Sequence, residues 1–135
     1  MELPIKGGCY CGDMRYEISG HPQSALQCHC RECQYFTGGH PNIFWVFDLS
    51  DFTYVKGAVA QFTRSDIDAP VTRHFCPSCG TAIGTRTPSR PNAMIVKVGT
   101  FDDPSHFEPA AAIFTCDIQP YHYVPKHIQV FKNRP

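Results

Sequence analysis

A chain of 135 residues, 42% of them apolar, can bury one sizeable core and is short for two, so a single domain over residues 1–135 is expected. Lys plus Arg and Asp plus Glu stand at 12 each, which excludes the basic field that gathers nucleic acid or an anionic membrane surface. No uncharged stretch reaches membrane-spanning length, and Met1-Glu2-Leu3-Pro4-Ile5-Lys6 lacks a signal-peptide core, so a soluble cytoplasmic protein is expected.

Along the chain, Met14, Tyr16 and Ile18 alternate with Arg15, Glu17 and Ser19, the period of a half-buried strand, and Gly20-His21-Pro22 ends it. Further short strands are predicted at 43–47, 52–55, 59–63, 71–75, 81–85, 93–98, 111–115, 121–124 and 128–131. Most are rich in β-branched and aromatic residues and bounded by Gly, Pro or Asp. Twelve prolines and ten glycines spread over the length leave room for one helical turn, Arg31 to Phe36, and the expected fold class is mainly β with short antiparallel strands.

Seven of the eight cysteines fall into tight groups: Cys9 and Cys11; Cys28, Cys30 and Cys33; Cys76 and Cys79. Thiols at such spacings in a reduced chain are better explained by a soft metal than by disulfides, and zinc is the first candidate. Cys76-Pro77-Ser78-Cys79-Gly80 reads as a zinc knuckle, two sulfurs on a tight turn ended by a glycine. Two ligands cannot close a tetrahedron, and Cys9-Tyr10-Cys11-Gly12 supplies the matching pair. Such a four-thiolate site would cross-link distant segments. A catalytic CxxC redox pair fits poorly, since thioredoxin-like sites need a βαβ context.

The middle group offers three sulfurs within Cys28-His29-Cys30-Arg31-Glu32-Cys33. Sulfurs two apart share a face of extended chain, and a helical turn after Cys30 can bring Cys33 back to them. Three protein ligands leave one tetrahedral position for an outside ligand, the mark of a reactive zinc. Three thiolates around Zn²⁺ leave a charge of about −1, which suits a soft incoming thiol better than the making of hydroxide. The competing reading is a structural site closed by Cys116, His29 or His40. Cys116 is expected to be a buried, free cysteine behaving as a small hydrophobe, and His29 to point away from the metal.

Several other residues receive plainer expectations. Phe44, Trp45, Phe47, Tyr121 and Tyr123 are expected to fill the core rather than roof a pocket. Arg31, Arg73 and Arg86 are expected to be solvated, Asp102-Asp103-Pro104 to form a turn, and His74 to make a structural hydrogen bond.

Taken together, Cys9-x-Cys11-Gly12, Cys28-His29-Cys30-x-x-Cys33 followed by Gly38, Arg73-His74-Phe75-Cys76-x-x-Cys79-Gly80 and Gly99-Thr100-Phe101-Asp102-Asp103-Pro104 carry a family resemblance. Over roughly residues 7 to 131 the chain resembles the glutathione-dependent formaldehyde-activating enzyme family, which also contains centromere protein V. The resemblance implies an Mss4-like, mainly β fold with two zinc ions per chain. Cys9, Cys11, Cys76 and Cys79 would hold a structural zinc, and Cys28, Cys30 and Cys33 a catalytic one. It further implies carbon-sulfur lyase chemistry like that of S-(hydroxymethyl)glutathione synthase, with a small thiol such as glutathione and a small aldehyde as partners. Many members carry basic residues after the third inner cysteine, where this chain has Gln34-Tyr35-Phe36, so weaker discrimination in favour of glutathione is expected. The alternative function class is a noncatalytic, zinc-stabilised binding module, which the fold alone would equally accommodate.

Overall fold

The computed structural model describes residues 1–135. Its strands are β1 (Ile5–Gly8), β2 (Arg15–Ile18), β3 (Ser24–Cys28), β4 (Asn42–Asp48), β5 (Phe52–Lys56), β6 (Ala60–Thr63), β7 (Thr72–Phe75), β8 (Ala82–Arg86), β9 (Ala93–Lys97), β10 (Ala111–Ile113) and β11 (Gln129–Val130), with one helix, α1 (Arg31–Thr37), after β3. They form a small sheet in the order β1-β2-β5 and a large one in the order β11-β10-β3-β4-β9-β8-β7-β6.

The alternation in β2 turns Tyr16 and Ile18 inward, where they join Ile5 and meet Trp45, Phe47, Ile83, Met94 and Val96 of the large sheet. This is the main core. The opposite face of the large sheet carries a second, smaller core in which Cys28, Phe44, Val46 and Ala93 pack with Cys33 of α1. Strand β4 is covered on both faces, which explains why Ile43 to Phe47 reads as an unbroken apolar run rather than an alternating one.

The expected mainly β architecture is present, with particular departures. Strand β1 contains Gly7 and Gly8 and had no sequence signature. Its packing explains the composition: a Cβ on Gly7 would lie 2.3 Å from both the Thr100 carbonyl oxygen and the Tyr16 hydroxyl. Strand β3 was also absent from the sequence reading, because Ser24 to Cys28 has no two-residue period. It lies between β4 and β10, and the β10 pairings with both β3 and β11 are parallel, so the sheet is mixed rather than wholly antiparallel. The strand expected over 111–115 stops at Ile113, where Phe114 takes a left-handed conformation (φ 53°) and leads into a 3-10 turn, Thr115–Asp117. Tyr121 to Val124 forms no strand; it lies between Pro120 and Pro125, and Tyr121 and Tyr123 are exposed rather than in the core. The expected helical turn is α1, only one residue longer than the sequence suggested.

Candidate metal centres

The first centre is built from two turns. Cys9 leaves β1 and Cys11 follows it, with the Met14 N–H donating to Cys9 Sγ at 3.2 Å. Cys76 leaves β7, and the N–H groups of Ser78 and Cys79 point at its sulfur at 3.4 and 3.5 Å. Gly12 and Gly80 end the two turns at φ 86° and 79°, a conformation that a Cβ penalises. Thr81, which the sequence reading overlooked, joins the turns: its hydroxyl accepts from the Tyr10 N–H at 3.1 Å and lies 3.1 Å from Cys79 Sγ. That hydroxyl contact is the leading cause holding the Cys79 thiol down at about 6.

The four sulfurs all lie within 4.8 Å of one another. Cys9 to Cys11 spans 3.6 Å and Cys11 to Cys76 spans 3.8 Å. A disulfide needs about 2.05 Å, whereas a tetrahedron with metal-sulfur bonds of about 2.3 Å has edges of about 3.8 Å. The donor set therefore fits a thiophilic, tetrahedral ion. Cys9 and Cys76 are buried and belong to the main core, so an ion there would be anchored to that core.

The second centre is local. Cys28 ends β3, Cys30 is the N-cap of α1, and Cys33 sits in its first turn, with the Cys33 N–H donating to Cys30 Sγ at 3.3 Å. The three sulfurs lie within 4.8 Å of one another, as an extended segment running into a helix predicts. Hydrogen bonds from Cys28 and Cys33 pull Cys30 down to about 2, and hydrogen bonding to Cys30 pushes Cys28 far up. A divalent ion would supply the positive charge that lets all three ionise.

None of the residues considered as a fourth ligand joins this group. Cys116, expected to be buried, is exposed, and its sulfur faces Asn133 Oδ1 at 3.5 Å. Its position follows from the turn at Phe114, which carries the chain out of the sheet. His40 engages the Pro41 carbonyl through Nδ1 at 2.8 Å. His29 is fully buried and turned away, as expected, with Nε2 3.0 Å from Gln27 Nε2 and Nδ1 2.9 Å from His122 Nδ1. Burial, with His122 adding to it, lowers His29 to about 4, so it is neutral. One tautomer assignment satisfies every contact: His122 donates from Nε2 to the Gly39 carbonyl and accepts at Nδ1 from His29, which in turn accepts from Gln27. Gln34 completes this support, its Nε2 donating to the His29 carbonyl at 2.8 Å and the Asp117 carbonyl at 3.0 Å.

Two cations face this centre, and the strand registers explain why. Cys28 pairs with Asn42, and Phe44, two residues on, pairs with Lys97, so Cys28, Asn42 and Lys97 share one face. Lys97 Nζ donates to Asn42 Oδ1 at 2.6 Å, and burial lowers the lysine to about 8 against the raising influence of the sulfurs. Arg73, expected to be solvated, instead lies over the Phe36 ring at 4.0 Å and lowers the Cys30 thiol electrostatically. Arg86 likewise is not simply solvated; its Nη2 donates to the Pro91 carbonyl at 2.9 Å. Arg31 covers the Tyr35 ring at 5.1 Å. Phe44 packs against Cys28 and Cys33, whereas Trp45 and Phe47 belong to the main core. His74 bonds Tyr54, as expected, whereas Asp102-Asp103-Pro104 is an irregular segment braced by Arg15 that leads into the turn at Ser105 and His106. Neither Lys97 nor Asn42 stands out in the sequence as a site residue, although Lys97 is the lone polar residue of β9 and Asn42 opens the apolar run of β4.

A family model described as glutathione-dependent formaldehyde-activating enzyme matches residues 4–117. The chain belongs to that family. The crystal structure of a Rhodobacter sphaeroides protein superposes with a TM-score of 0.60 at 24% identity, covering 73% of this chain and 88% of that one, and so shares the fold. No curated protein matches the sequence. No helix is long and apolar enough to cross a membrane.

Proposed function

We propose that residues 1–135 act as a single cytoplasmic, zinc-dependent enzyme of carbon-sulfur lyase type, joining a small thiol to formaldehyde or another small aldehyde. Cys9, Cys11, Cys76 and Cys79 would hold a structural zinc, and Cys28, Cys30 and Cys33 the reactive one, two ions per chain. The observation that carries the reading is the convergence of three sulfurs, with no fourth protein donor, on a face lined by Arg73 and Lys97. Zinc, when bound there, would lower the pKa of an incoming thiol and hold its sulfur.

The protein's own residues supply the rest. The substrate thiol loses its proton, and its sulfur lone pair forms the new carbon-sulfur bond at the carbonyl carbon. The carbonyl π pair moves to oxygen, which takes up a proton, so the product is a hemithioacetal and the sum is a simple addition. Arg73 and Lys97 place positive charge beside the sulfurs, where it favours both the thiolate and the developing alkoxide. The same steps reversed cleave the carbon-sulfur bond.

Exchange NMR on mixtures of formaldehyde with a thiol measures the rate of hemithioacetal formation directly. The wild type should accelerate it, and Cys30→Ser should fall to the uncatalysed rate while remaining folded. Equal rates for the two proteins with every thiol would remove the enzyme and leave a noncatalytic zinc-stabilised binding module.

A further inference from the structure

Beside the second centre runs a cleft with two lobes, of about 520 and 460 Å³, that share Tyr35, Phe36, Phe62 and Arg73. Lys97 lines the lobe nearer the sulfurs, and Val71 and Arg64 line the outer one. The registers that pair Phe62 with Arg73, Arg73 with Thr85 and Thr85 with Ile95 put Phe62 and Arg73 on the same sheet face as the second centre. Tyr35 and Phe36 arrive from α1, in the turn that follows Cys33 and Gln34. The walls are apolar and left in water: Tyr35 is 77% exposed, Phe36 42% and Phe62 44%.

The charges decide what these walls could receive. Three ionised sulfurs around a divalent ion carry about −1, and a thiolate from the substrate brings the group to about −2. Arg73 and Lys97 face no carboxylate and together balance that charge. The third cation of the cleft, Arg64, is already occupied by Glu32 at 3.0 Å and Asp66 at 2.8 Å. Arg31 lines neither lobe. A substrate carboxylate would therefore find no cation in this aromatic cleft beyond the two that the metal-thiolate charge takes up, whereas an uncharged carbon skeleton would cover exposed rings.

Building on the thiol-addition reading above, we infer that this cleft selects a thiol with an uncharged, apolar skeleton, an arylalkyl thiol in preference to a carboxylate-bearing peptide thiol. Protein loaded with Co²⁺ gives visible bands that respond to a new sulfur ligand, and titration with benzyl mercaptan, 2-mercaptoethanol and glutathione reads three affinities without any turnover. Benzyl mercaptan should bind about tenfold more tightly than glutathione, the scale of one buried aromatic contact. Phe62 is on an exposed edge strand, so Phe62→Ala should fold normally, weaken benzyl mercaptan about fivefold and leave 2-mercaptoethanol within about twofold. Arg73→Gln should weaken all three thiols alike, because the arginine balances the thiolate they share. Tightest binding by glutathione, a uniform loss in Phe62→Ala, or a loss confined to glutathione in Arg73→Gln would overturn the inference while leaving thiol binding intact. Bands unmoved by any thiol would instead overturn the thiol-addition reading itself, and this inference with it.

Discussion

Cys9, Cys11, Cys76 and Cys79 come from two turns distant in the chain, whereas Cys28, Cys30 and Cys33 come from one strand end and the helical turn that follows it. The ligand chemistry is the same and the mechanical meaning is different. An ion on the first set ties β1 to β7 and constrains everything between them, as a covalent cross-link would. An ion on the second set closes only a six-residue loop, so its loss leaves the chain's long-range connections in place. Donor number points the same way: four sulfurs complete a tetrahedron, and three leave the ion able to exchange ligands.

The sharpest way to break this comparison is to remove one sulfur from each set. Structural zinc in small domains contributes on the order of 10 kcal/mol of apparent free energy. Cys76→Ser, at a position fully buried in the main core, should abolish the cooperative melting transition at ordinary temperatures. Cys30→Ser, at a half-buried helix cap, should retain it with a modestly lower Tm. If circular dichroism melts show Cys30→Ser unfolded and Cys76→Ser unaffected, the two roles have been assigned in reverse.

Metal release gives a second, smaller separation. Under mild chelation, followed with a colorimetric zinc indicator, one ion should leave well before the other, and protein that has lost the first should keep its far-UV spectrum. The fast phase should vanish in Cys30→Ser. A single phase releasing both ions together would mean that the centres do not differ in the way their donor counts require.

Sequence legibility divides along the same line. The cysteine spacing showed both donor sets, because ligand geometry is short-range and metal chemistry restricts the residue types. Alternation showed β2, where one face is buried and the other is not. It could not show β1, whose glycines are there for close backbone approach, or β3, buried between neighbours and paired in parallel with a strand far along the chain. Tyr121 to Val124 misled for the converse reason, since aromatic and β-branched composition signals a strand only where a sheet edge is available. Asn42, Lys97 and Arg73 meet the inner sulfurs only through strand register, which pattern alone does not specify.

Gln34 offers the smallest and most specific test, because it asks what supports the inner centre from behind. Its side chain is 2% exposed and donates to the carbonyls of His29 and Asp117, joining the cysteine loop to the turn after β10, while its Oε1 accepts from Arg31. Leaving a buried carbonyl unpaired costs about 1–3 kcal/mol. Gln34→Leu should therefore lower stability by roughly 2 kcal/mol, a fall of several degrees in Tm for a chain of this size. Gln34→Glu separates hydrogen bonding from packing: it has nearly the same shape, yet an ionised carboxylate has no proton to donate to either carbonyl. Both variants should speed release of the inner metal and leave the slow phase of the outer one unchanged, since Gln34 touches nothing at Cys9, Cys11, Cys76 or Cys79. Wild-type stability and release kinetics in Gln34→Glu would show that packing alone holds the loop and that the paired carbonyls contribute nothing to it.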